Sequence, residues 1–194
     1  MSEEHKILFW NDVNDSAFKG LKDSWERGHK AVIEPDYVWF LHEKTGFYCL
    51  ILRDWEAGNL NGYIGIPKGH PWYLKRPEEI RASGQVPIVH GGITYAALNL
   101  GVKEKYLHEA LKKGHPFVGP MIMSHDKEGT LEFSKDLWVL GFDTCHMGDE
   151  RPGLYGKRLM TTREVKTYRD ISYVGGELDH LARQALAAIT GKIE

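Results

Sequence analysis

The chain predicts an α+β fold: a single domain, residues 1–194, with a mainly antiparallel sheet and helices packed on one face of it. Three observations predict this. Strand-like stretches follow one another in meander order across residues 37–66. Helix-like stretches stand at the start, the middle and the end of the chain instead of alternating with strands. No glycine-rich phosphate loop follows a strand, neither G-x-G-x-x-G nor a P-loop, which speaks against a parallel doubly wound sheet.

The elements are expected as follows. Residues 16–27 carry Phe18, Leu21 and Trp25 at helical spacing, with Asp15 or Ser16 to cap the start and Gly28 to end it. After Pro35 the runs 37–42 and 47–53 are β-branched and aromatic, and Glu43-Lys44-Thr45-Gly46 joins them as a hairpin. Gly58 and Asn59 turn the chain into a third strand, 60–66, and Pro67 to Tyr73 form a loop enforced by proline and glycine. Pro77 to Arg81 read as the first turn of a short helix. Residues 88–97 form a strand on which His90, Gly92 and Thr94 share one face. The polar segment 101–129 is an insertion or flap, with a helix expected over 103–113. A strand is expected over 131–143, then a basic loop, then a closing helix from about 170 to 189. Ile171, Val174, Leu178, Leu181 and Ala185 are its apolar stripe.

Composition narrows the function classes. A chain of 194 residues can bury roughly 70% of its unfolded surface. With 42% hydrophobic and 27% charged residues it reads as a soluble globular protein. A net charge of −2 gives no pull toward bulk nucleic acid or anionic lipid. The longest apolar run, 47–52, is far short of the roughly 20 residues of a membrane helix, and the start lacks the regions of a signal peptide. Two cysteines, Cys49 and Cys145, make no disulfide framework, so a cytoplasmic protein with free thiols is expected.

The chemistry-bearing residues concentrate in two segments. Leu137 to Asp149 ends as a loop that carries Asp143, His146 and Asp149 at steps of three, and Val89 to Tyr95 carries His90, two glycines and Thr94. Asp143, His146 and Asp149, with His90 as a fourth group, could hold zinc or manganese that activates water. The plainer alternative is a polar loop whose carboxylates cap backbone amides around a hydrogen-bonded histidine. Without metal, His90 and His146 could be general base and acid across a phosphodiester while Thr94 binds a phosphate oxygen. Two-histidine phosphoesterases place histidine and hydroxyl two residues apart, whereas here they are four apart. Lys68, His70, Trp72 and Tyr73 could close over a ligand, or could be a proline turn whose aromatics plug the core edge. Arg151 opens a basic loop that could grip phosphates, or that is simply solvated. Cys145 lies between Asp143 and His146, but a nucleophilic thiol needs a positioned base and oxyanion donors, which sequence does not show. Tyr173 and Glu177 face the sheet or its edge, where Glu177 could orient a histidine from behind.

Four motifs stand in order: Gly62 to Pro71, GYIGIPKGHP; His90 to Tyr95, HGGITY; Gly141 to Asp149, GFDTCHMGD; and Tyr168 to Val174, YRDISYV, followed by Glu177. In these motifs the chain resembles a widespread family of small proteins of tailed bacteriophages and prophages. The resemblance implies a phage setting, in the cytoplasm of an infected or lysogenic bacterium, and an accessory or counter-defence role. The resulting expectation is a hydrolase acting on a nucleotide-like phosphodiester, with His90, Thr94, Asp143, His146 and Asp149 at the site. Two alternatives remain: a non-catalytic binder that sequesters a small nucleotide, and an inhibitor that blocks a host enzyme by surface contact. Assembly into a homo-oligomer stays open.

Overall fold

The computed structural model describes residues 6–8, 22–23, 25, 29–54, 56–97, 124–125, 131–132, 137–157 and 166–191. Six strands form one sheet: β1 (Lys6–Leu8), β2 (Tyr37–Leu41), β3 (Tyr48–Arg53), β4 (Leu60–Pro67), β5 (Tyr95–Ala97) and β8 (Leu137–Asp143). Their order is β1-β2-β3-β4-β8-β5, and every pairing is antiparallel. Two short strands, β6 (Ser124–His125) and β7 (Leu131–Glu132), pair separately. The helices among the described residues are α1 (Lys30–Ile33), α2 (Pro77–Ala82) and α3 (Ile171–Thr190), with a 3-10 turn at Pro152–Lys157. The fold is therefore a single α+β domain on a mainly antiparallel sheet. No helix among the described residues is long and apolar enough to cross a membrane.

The meander from β2 to β4 follows from the alternating apolar runs and from the His42–Phe47 turn, in which His42 N–H and Phe47 C=O pair at 2.8 Å. β8 then enters between β4 and β5. Phe142 lies opposite Gly62 and Tyr63 opposite Gly141. A Cβ at Gly62 would stand 2.5 Å from the Phe142 ring, and one at Gly141 2.4 Å from the Tyr63 ring. The two glycines thus admit the aromatic rings that cross the β4–β8 ladder, one on each face.

α3 covers the face that carries Cys49, Ile51, Ile64, Ile66, Leu140 and Phe142. Val174, Leu178, Leu181, Ala182 and Ala185 are buried against it. Each large apolar side chain removed from water there contributes roughly 1.5–3 kcal/mol. Asp170 caps the start, its carboxylate accepting Tyr173 N–H at 3.0 Å, and Gly191 ends the helix in the left-handed conformation, φ 68°. A buried polar network anchors this end of the helix. Arg53 donates to Asp36 at 2.5 Å, to Gly58 C=O at 2.9 Å and to the Tyr168 hydroxyl at 2.7 Å, and Tyr168 donates to Glu34 at 2.6 Å. Lys22 adds a second cation to Asp36 at 2.7 Å, and Lys30 binds Asp170 at 2.9 Å.

The structure departs from the expected elements in three places. Residues 88–94 are not strand: Gly91 and Gly92 take φ of 65° and 85°, so the chain turns at His90 and regular pairing begins only at Tyr95. The alternation that put His90, Gly92 and Thr94 on one face does not hold there. The 131–143 strand is instead β7 and the separate β8. The basic loop contains the 3-10 turn. Most of the helix expected over 16–27, of which the described residues 22, 23 and 25 are turn and bend, the whole helix over 103–113 and nearly all of the 101–129 insertion lie outside the described residues.

Candidate functional site

Four segments meet at the C-terminal end of β8: the turn at His90, the loop from Asp143 to Glu150, the strand-like stretch 166–170 and the first two turns of α3. Their meeting point is the His90 imidazole. Nε2 lies 2.7 Å from Asp149 Oδ2, and Nδ1 lies 2.9 Å from the Tyr173 hydroxyl. Glu177, one helical turn after Tyr173, accepts the His90 backbone N–H at 2.7 Å. Helix α3 therefore holds both the ring and the backbone of one histidine.

Asp149 is almost fully buried and collects three donors. Arg169 Nε–H reaches Oδ1 at 2.9 Å, while His90 and the His146 backbone N–H reach Oδ2 at 2.7 and 3.0 Å. A parallel bridge between Asp149 and Thr167, with Glu150 N–H to Thr167 C=O at 3.0 Å, fixes the loop against the 166–170 stretch. Burial pushes the Asp149 carboxyl upward, but the bonds from Arg169, His90 and His146 outweigh it and hold the group below its ordinary value. Asp149 is thus ionised and can only accept, so the imidazole tautomer that fits these bonds carries its proton on Nε2 and takes the Tyr173 O–H on Nδ1. Burial, then the Glu177 charge, raise the Tyr173 phenol. Tyr173 is accordingly held as a protonated hydroxyl.

A stability consequence follows from the lowered carboxyl. The fold gains stability from ionised Asp149 above the unfolded value of about 3.9 and loses it as pH falls through the lower folded value. Asp149→Asn is expected to flatten the acid limb of a stability-versus-pH curve measured by urea unfolding. An acid limb identical to that of the wild type would show that Asp149 is not the group responsible.

His146 is the second imidazole, its ring centre 5.2 Å from that of His90. It lies directly on the backbone of Gly91, where an added Cβ would stand 1.6 Å from Nε2. Nε2 is buried, 3.7 Å from Asp143 Oδ1 and without a hydrogen-bond partner among the described residues. That leaves Nδ1 as the nitrogen open to a ligand. Asp143 itself accepts the Cys145 N–H at 3.0 Å, a local cap. Burial raises the Cys145 thiol and outweighs the opposing pull of Arg151, which disfavours a thiolate.

The expected metal set of Asp143, His146 and Asp149 is not assembled, and both Asp149 oxygens are hydrogen-bonded within the His90 cluster. Among the described residues no group of three or more His, Cys, Asp and Glu could hold a metal ion. Thr94 is exposed. Its backbone N–H donates to Gly141 C=O at 2.9 Å, and its side chain takes no part in the His90 cluster.

The loop of Lys68, His70, Trp72 and Tyr73 is a plug instead of a lid. His70 donates to Ala185 C=O at 2.9 Å and accepts Trp72 N–H at 2.9 Å, while Trp72 is buried in the core and Lys68 is exposed. Ala185 lies eight residues beyond Glu177, about 12 Å along the helix. Arg151 is half-buried next to the loop, its Nε without a hydrogen-bond partner among the described residues. Sequence reasoning missed Arg169 and the seat at Gly91. The signal for Arg169 was its place in the Tyr168–Val174 motif, between Tyr168 and the helix cap Asp170.

Comparison of the chain with protein-family models, with curated proteins and with solved structures gives no match.

Proposed function

We propose that the chain is a hydrolase of a small, nucleotide-like phosphodiester, with Asp149, His90 and Tyr173 as its proton relay and His146 as its second imidazole. One observation carries this reading: a single imidazole is held between a buried, ionised carboxylate at 2.7 Å and a protonated phenol at 2.9 Å. Carboxylate, imidazole and hydroxyl in series move a proton without creating an isolated charge. The high-lying Tyr173 phenol suits a proton donor more than a nucleophile. In the step that follows, Tyr173 passes its proton to His90 Nδ1 as its oxygen takes one from the attacking water, whose oxygen bonds phosphorus while the ester P–O bond breaks. His146, when protonated, gives its Nδ1 proton to the departing ester oxygen. The resemblance of the motifs to a phage family supplies the setting, an accessory protein that removes a nucleotide signal in the bacterial cytoplasm.

A second reading is favoured by the same two bonds. An imidazole engaged at both nitrogens is also a rigid contact, as a protein that only sequesters a nucleotide would need. Incubating the full chain with a panel of cyclic mono- and dinucleotides, with and without Mn²⁺ or Zn²⁺, separates the two. Release of linear products is the expected result. Recovery of intact nucleotide from heat-denatured protein would favour sequestration, and neither turnover nor binding across the panel would end both.

A further inference from the structure

Arg169 stands where both partners of His90 meet. Its Nε–H donates to Asp149 Oδ1 at 2.9 Å, and its guanidinium carbon lies 4.7 Å from the centre of the Tyr173 ring. Asp149 and Tyr173 in turn hold the two nitrogens of His90, so the four side chains close a circuit. Only the Nε–H of the guanidinium is committed in this arrangement. The two Nη groups have no hydrogen-bond partner among the described residues, and the side chain is 29% exposed. A guanidinium pinned at Nε by a buried carboxylate and laid over an aromatic ring has little rotamer freedom left to lose on binding.

We infer that Arg169 is the anion-recognising residue of the site, its Nη groups taking oxygens of a phosphoryl group beside the Tyr173 hydroxyl. A planar fork with a fixed plane matches two phosphoryl oxygens at once, which the point charge of a lysine does not. The bond to Asp149 orients the fork and leaves its outer donors for the ligand. Asp149 also offsets part of the cation's charge, so inorganic phosphate alone is expected to bind only with a Kd on the order of millimolar. The inference rests on the hydrolase reading for the chemistry that follows binding, and the two fail separately.

The test titrates inorganic phosphate into the full chain while the arginine side-chain resonances are followed by NMR, with sodium chloride at matched ionic strength as the control. A saturable shift of the Arg169 Nε–H signal with phosphate and not with chloride is expected. Arg169→Lys is expected to weaken phosphate at least about tenfold. Arg169→Gln keeps a donor for Asp149 without the charge, so it should hold the fold and lose the phosphate response. A wild-type Arg169 signal that ignores phosphate, or an Arg169→Lys protein that binds it as the wild type does, overturns the inference. Phosphate bound through Arg169 with no phosphodiester turned over would leave the inference standing and end the hydrolase reading. Turnover with unchanged KM in Arg169→Lys would do the reverse.

Discussion

Asp36→Ala is expected to lower the stability of the protein by about 3–5 kcal/mol, the usual consequence of leaving a buried cation without its partner. Asp36 is fully buried and receives Arg53 Nε–H at 2.5 Å and Lys22 Nζ at 2.7 Å. Arg53 is equally buried and keeps only the Tyr168 hydroxyl, two backbone carbonyls and a longer contact to Glu34 when Asp36 is removed. For a domain of this size each kcal/mol corresponds to about 2–4 °C in Tm. Replacing the guanidinium as well, in Asp36→Ala with Arg53→Met, should recover part of the loss, because one buried cation instead of two, Lys22 with its bond to the Glu34 carbonyl, is then left without its carboxylate. Urea unfolding of the single and double variants measures both. A single-variant loss under about 1 kcal/mol would show that solvent reaches Arg53 and that the network contributes little.

Tyr173→Phe is expected to cut turnover by about 100- to 10,000-fold while changing KM little. The variant keeps the ring that packs edge-on against His90, centroids 5.5 Å apart, and that lies under Arg169. It removes only the hydroxyl that meets Nδ1, so the fold should lose no more than about 1.5 kcal/mol. If the protein sequesters its ligand, the same change costs one hydrogen bond of affinity, about 0.5–1.5 kcal/mol. Steady-state kinetics, ligand titration and a melting curve on this variant separate these outcomes. Turnover within tenfold of the wild type would remove Tyr173 from the reaction.

Much of the fold was legible locally. The closing helix was expected over about 170–189 and is Ile171–Thr190, with its apolar stripe facing the sheet as its period requires. The 37–42 and 47–53 runs became β2 and β3, because alternating apolar residues flanking a glycine turn admit few other arrangements. The HGG segment was misread because its apolar neighbours look like strand. Gly91 and Gly92 instead adopt positive φ, and one of them is needed bare to seat His146. His70 and Trp72 looked like ligand groups because their residue types are versatile. Their burial against the far half of α3 was a matter of packing, which motif spacing does not encode.

The sequence by itself determined the α+β class, the closing helix, the β2–β3–β4 meander and the two histidine-bearing segments. Periodicity, turn residues and caps act within a few residues of the chain, so they can be read from it. Only the tertiary structure decided that β8 separates β4 from β5, that Asp149 spends its oxygens on Arg169, His90 and His146, and that Tyr173 completes the His90 relay. Those contacts join residues 20 to 83 positions apart in all but the His146 bond. Such contacts form only when burial of the sheet face under α3 brings the segments together, and no local rule specifies which carboxylate will meet which imidazole.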